Sequence, residues 1–237
     1  MIERIKAVLK EKGYKMFSRP FELNIIGVRS KETIAGRFDD EIHVFYRNLK
    51  NDWNYHVFKA TTDPGTFWLK HPSSYQGTAI LKSGQYINSY KLGLHQGMYQ
   101  ALVQARPVTI IRDYDRNSLL DFFSGFEQTG FFGINIHKAI LYGNRRDVDR
   151  NSAGCQVIEQ LKDYNFFIKL CLMHSRLYGN GFTYTLIDMR ALMKETRKRW
   201  VVGATIGILG LIGILTHKRV KKRQKRKRKM LVQEFDN

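Results

Sequence analysis

The sequence predicts a mainly β domain with a few helices, of the α+β class, followed by a membrane-spanning helix near the C-terminus. Three observations carry this. Short segments rich in β-branched and aromatic residues recur between glycine and proline turn signals over residues 22–188. Few runs before residue 190 have helical spacing, and no internal repeat is present. From Trp200 the run WVVGATIGILGLIGILT carries no charge, and dense Lys/Arg flanks it on both sides.

At the start, MIERIKAVLKEKGYKMF sets Ile2, Ile5, Val8 and Leu9 on one helical face, so residues 1–20 read as an amphipathic helix packing on its own domain. No apolar run ends there in a small-residue cleavage site, so this is not a secretory signal. ELNIIGVR, EIHVFYR and WNYHVFKATT then predict a hairpin or meander over 22–60, and Asp63-Pro64-Gly65 a turn. TAIL and QYINSYKL are further strands, LHQGMYQALVQ (94–104) a short helix, VTIIRD and FFGINIH (131–137) strands again. QVI follows Cys155. A helix capped by Asp163 runs to Gly179, and FTYTLID closes the domain.

The 237 residues suffice for one packed domain with appendages, and 13% aromatic residues can build its core without disulfides. The two cysteines, Cys155 and Cys171, define no disulfide framework and report no redox compartment. Of the net charge of +19, +11 falls in residues 194–237, where 14 Lys and Arg face three acids. Basicity is therefore a property of the tail, which weakens a nucleic-acid reading of the whole domain. The organisation expected is an N-terminal helix (1–20), a domain (21–190), a basic linker (191–199), a transmembrane helix (200–216) and a basic tail (217–237). A 17-residue helix is roughly 25 Å long, which snorkelling Lys and Arg extend. Gly203 and Gly207 form a small-xxx-small step, a weak sign of helix–helix self-association. The ten basic residues in 218–229 suit anionic lipid or nucleic acid, and they favour the cytoplasmic side for the tail. Residues 1–199 would then lie across the bilayer on the cell-wall side, or in a virion.

The sharpest chemistry lies in HKAILYGNRRDVDRNSAGC, 137–155. An imidazole near a thiol favours the thiolate nucleophile and supplies a proton to a leaving amine. Cys155 and His137 could be this pair. Gly154 leaves room for a substrate carbonyl, backbone N–H groups around Gly154 and Cys155 could hold an oxyanion, and Ser152 would brace the turn or donate to substrate. Free cysteines are mostly buried small hydrophobes, which fits Cys171, whereas the polar neighbours of Cys155 suit a cleft loop.

His137, fourteen intervening residues and Ser152-Ala153-Gly154-Cys155 resemble the signature of the L,D-transpeptidase (YkuD-like) family. The resemblance implies a β-rich catalytic fold, a cysteine acyl-enzyme and peptidoglycan stem peptides as substrate, with Cys155 the nucleophile, His137 its base, and Ser152 and Gly154 shaping the site. GTAILKSGQY (77–86) is similar to a second family stretch but lacks its proline. GTAIL, GINIH and SAGCQV together resemble proteins of tailed bacteriophages. Two positions depart: Lys138 stands where the family has glycine, and Val157 where it has a substrate-binding arginine. Arg145, Arg146 or Arg150 could supply that charge, and His95, between glycines, could reach the cleft.

DYDRNSLLD spaces Asp113, Asp115, Asn117 and Asp121 as oxygen ligands are spaced in calcium loops, without the central glycine or late glutamate. It reads first as a tight Asp/Asn turn, with calcium the alternative. The remaining histidines are scattered singly and give zinc no spacing support, and no other cofactor is expected. The expectation is thus a membrane-anchored cysteine transpeptidase or hydrolase of peptidoglycan peptides. Its rivals are a scaffold that kept the fold and lost the chemistry, and a nucleic-acid binder acting through the tail.

Overall fold

The computed structural model describes residues 1–140 and 148–194. Eight strands close a barrel in the order β1 (Asn24–Arg29), β11 (Phe182–Asp188), β5 (Gly84–His95), β6 (Tyr99–Gln104), β9 (Ile136–Lys138), β10 (Gln156–Ile158), β3 (Trp53–Thr61) and β2 (Asp40–Arg47). Two of its pairings, β1 with β11 and β9 with β10, are parallel. A second antiparallel sheet has the order β4 (Thr78–Leu81), β7 (Val108–Asp113), β8 (Glu127–Gly130). Among the described residues the helices are α1 (Ile2–Glu11), α2 (Thr66–Lys70) and α3 (Leu161–Tyr178), and a further helical segment covers 189–194. The mainly β, α+β expectation holds.

Strand alternation sorts the side chains into layers. From β2, Ile42, Val44 and Tyr46 enter the main core while Phe45 joins the outer layer under α1. From β11, Phe182, Tyr184 and Leu186 point to the main core and Ile187 to the outer layer. β1 is buried on both faces, which is why NIIGVR reads as a nearly continuous apolar run. α3 feeds Tyr164, Phe167, Ile168 and Cys171 into the main core at helical spacing. Phe167 is fully buried, and such a ring contributes roughly 2–3 kcal/mol.

Four expectations need correction. The 1–20 helix stops at Glu11: Gly13 takes φ 66°, and the Gly13 and Tyr14 N–H groups close the end on the Lys10 and Leu9 carbonyls. Ile5, Val8 and Leu9 pack on Ile26, Val28 and Phe45. Residues 94–104 form the hairpin of β5 and β6, not a helix, because Gln96 and Gly97 both adopt positive φ and reverse the chain. FFGINIH supplies only Ile136 and His137 to β9, since Gly133 at φ 69° interrupts the extended run. Asp163 lies inside the first turn of α3, and Gln160 holds the N-cap position.

Among the described residues no helix is long and apolar enough to cross a membrane. The apolar run 200–216, its Gly203/Gly207 step, the basic stretch 218–229, most of the 191–199 linker, and Arg145 and Arg146 lie outside the described residues.

Candidate active site

The parallel pairing of β9 with β10 sets Gln156 opposite Ile136 and Val157 opposite His137. Ile134, Ile136 and Ile158 belong to the main core, so alternation puts Asn135, His137 and Val157 on the other face of this strand pair. Cys155 enters β10 on that same face, packed beside Val157.

The Ser-Ala-Gly-Cys turn is held from within. Ser152, fully buried, donates its hydroxyl to the Cys155 carbonyl at 2.8 Å and accepts the Gly154 N–H at 3.1 Å. Its own carbonyl accepts the Gly65 N–H at 2.8 Å. Gly154 sits at φ 119°, and a Cβ there would lie 2.2 Å from the Ala79 carbonyl oxygen of β4. Gly65 is equally constrained, since a Cβ would lie 2.0 Å from the Asp149 carbonyl oxygen. Ser152 thus braces the turn, and the Gly154 amide is spent on it.

The Cys155 sulfur accepts the Asn135 N–H and donates to the Gly133 carbonyl, each at 3.4 Å. Burial pushes the thiol up to about 11, against the pull of the Asn135 N–H, so it rests protonated at neutral pH. Among the described residues no hydrogen bond joins the sulfur to His137. The His137 ring is buried, and its Nδ1 faces the Lys138 carbonyl at 2.8 Å and the Tyr99 hydroxyl at 3.3 Å. With Nδ1–H donating to that carbonyl, Nε2 is the basic nitrogen. Burial, reinforced by repulsion from His95, lowers this imidazole to about 3.

His95 stacks on His137, with ring centroids 4.0 Å apart and planes at 21°. Its Nδ1 lies 3.0 Å from the Asn135 side-chain nitrogen, so Nδ1 accepts and the ring is neutral. Asn135 ties the site together: its N–H reaches the sulfur, its carbonyl accepts the Gln156 N–H, its Oδ1 accepts the Gln104 N–H and its amide donates to His95. Asn135 and Tyr99 were not singled out in the sequence. The signal for Asn135 was available, because a residue two before His137 in a strand shares its face. Tyr99 carried none.

Beneath the turn lies a buried polar network that the sequence also hid. Arg29 pairs with Asp63 at 2.7 Å and donates to the Thr62 carbonyl at 3.0 Å. Asp40 accepts the Thr62 N–H and hydroxyl at 2.6 and 2.7 Å. Gln156 donates to the Thr62 carbonyl and accepts the Tyr184 hydroxyl at 2.8 Å. Burial raises the Asp63 carboxyl despite Arg29. The network fixes the Asp63-Pro64-Gly65 turn against which Ser152 docks.

The departures acquire a physical reading. Val157 is sealed with Phe38 and Val148, a setting closed to an arginine. The Lys138 ammonium lies 4.6 Å from the Tyr99 ring centre. Arg150 stacks on Phe67 at 3.7 Å. Cavities of about 400 and 160 Å³ lie along α3, lined by residues such as Leu172 and Met173, and His174 and Glu22, and neither includes Cys155. Asp113, Asp115 and Asp121 converge at the end of β7, where burial, with repulsion from the other two, raises Asp113 to about 6 against the Asp121 N–H.

No family model, no curated protein and no solved structure matches this chain.

Proposed function

We propose that this protein is a cysteine acyl-transfer enzyme acting on amide bonds of peptidoglycan stem peptides, tethered to a membrane through 200–216 with its basic tail on anionic lipid. The observation that carries the reading is the β9–β10 pairing, which sets His137 opposite Val157, two residues after Cys155, with Cys155 packed against the cluster that holds Val157. The substrate class rests on the resemblance of His137 and Ser152-Ala153-Gly154-Cys155 to L,D-transpeptidases.

In this mechanism the sulfur leaves the Gly133 carbonyl by rotation about Cα–Cβ and attacks the peptide carbonyl carbon while its proton passes to His137 Nε2, so that no free thiolate forms at a site where the resting thiol is protonated and the imidazole neutral. The oxyanion falls to the Cys155 amide, because the Gly154 amide is engaged. The C–N bond breaks, the amine leaves with the proton from the imidazolium, and a thioester remains on Cys155. Water or an acceptor amine resolves it.

A second reading, a scaffold that retains the fold without the chemistry, is favoured by one observation: the resting thiol bonds to Asn135 and Gly133 and not to His137. Purified full-length protein incubated with tetrapeptide and pentapeptide muropeptides separates the two. The enzyme reading expects turnover, an acyl adduct on Cys155 by mass spectrometry, and loss of both in Cys155→Ala with an unchanged circular dichroism spectrum. Neither turnover nor adduct in the wild type leaves the scaffold.

A further inference from the structure

Asp113, Asp115 and Asp121 each offer a carboxylate oxygen within 4.8 Å of the others. Exposed acids cluster often without consequence, but Asp113 is not exposed: it is 1% accessible. Its Oδ2 accepts the Asp121 N–H at 3.1 Å, while Oδ1 is buried with no hydrogen-bond partner among the described residues. A buried carboxylate oxygen facing nothing is costly, and two more carboxylates beside it compound the cost. Among the described residues no Lys or Arg pairs with any of the three, in a chain of net charge +19.

The loop is built to hold its shape. The Asn117 N–H donates to Asp115 Oδ1, and Asn117 Oδ1 accepts the Leu119 N–H. Leu119 bridges to Ile34, the Ala35 N–H reaches the Ser118 carbonyl, and the Leu120 N–H reaches the Thr33 carbonyl at 2.7 Å. Leu120 and Phe122 anchor it on Ala35, Leu69 and Ile80.

We propose that Asp113, Asp115 and Asp121 bind a hard divalent cation, calcium by preference. All the donors are oxygens, which excludes soft-metal chemistry, and three carboxylates on an irregular loop suit the six to eight flexible ligands of calcium better than the strict octahedron of magnesium. Carbonyl oxygens or water complete the shell. The site bears on the cysteine turn at one remove: Arg112, next to Asp113, pairs with Ala79 of β4, whose carbonyl packs against Gly154. A bound ion would stiffen the sheet behind that turn.

Full-length protein stripped with a chelator and titrated with calcium tests this, by calorimetry and by thermal unfolding. One saturable site is expected, with Tm raised by about 5–10 °C at a hundredfold excess over Kd. Asp113→Asn and the double variant Asp115→Asn/Asp121→Asn, at an exposed and a half-buried position, should both lose the heat and the Tm rise, the double variant while remaining folded. Three results would each overturn the proposal: no saturable binding at millimolar calcium, an undiminished Tm rise in the double variant, or an equal rise with sodium at matched ionic strength.

Discussion

Lowering the pH from 7.5 to 5 should cost the wild-type protein about 2 kcal/mol more than it costs His137→Gln. Burial holds the folded imidazole at about 3, below its ordinary value near 6.5. The unfolded chain therefore takes up the proton first as the pH falls. The contribution of this group is complete above pH 6.5 and is lost progressively on the way down to pH 3. At pH 5 about one and a half pH units of the window have been crossed, which at roughly 1.4 kcal/mol each gives the 2 kcal/mol. A folded value anywhere up to about 4 leaves the figure almost unchanged, because both values lie below the pH of the assay. Other buried groups titrate in the same window, Asp63 with the opposite sign because burial raises it to about 8. The readout is therefore the difference between the two proteins, by urea unfolding of full-length chains at each pH. Glutamine keeps a polar group at the Lys138 carbonyl without a proton to gain. Parallel pH profiles for the two proteins would refute the claim that His137 is held neutral by its surroundings.

Two substitutions probe the turn. Gly154→Ala should lower Tm by about 5 °C or more, because the left-handed backbone costs a side chain of order 1–3 kcal/mol and the new Cβ meets the Ala79 carbonyl. An unchanged Tm would mean that the turn yields freely. Ser152→Ala should cost about 1–3 kcal/mol in urea unfolding by orphaning the Gly154 N–H. A loss of muropeptide turnover with full stability would instead give the hydroxyl a chemical role.

The elements most legible in the sequence were those whose own residues alternate or run apolar between turn signals. FTYTLID became β11 residue for residue, and the meander over 22–60 became β1, β2 and β3. LHQGMYQALVQ misled because its composition suits a helix, and only the positive φ of Gln96 and Gly97 reveals the reversal. In the site, the types and spacing of His137 and Cys155 were readable, and so was a bracing role for Ser152. The parallel pairing that aligns them was not, since β9 and β10 are three residues each with no periodicity to recognise. Arg29 and Asp63 were invisible as a pair: charges in sequence are taken as solvated, and their contact spans strands that the chain order alone does not bring together.

The pairing of β1 with β11 joins the first strand of the domain to the last. A ribosome adding 5–20 residues per second needs roughly ten to thirty seconds to travel from one to the other. Throughout that interval NIIGVR presents one unsatisfied backbone edge, apolar on both faces, to every other nascent chain nearby. The barrel therefore stays open at that edge until β11 has been made.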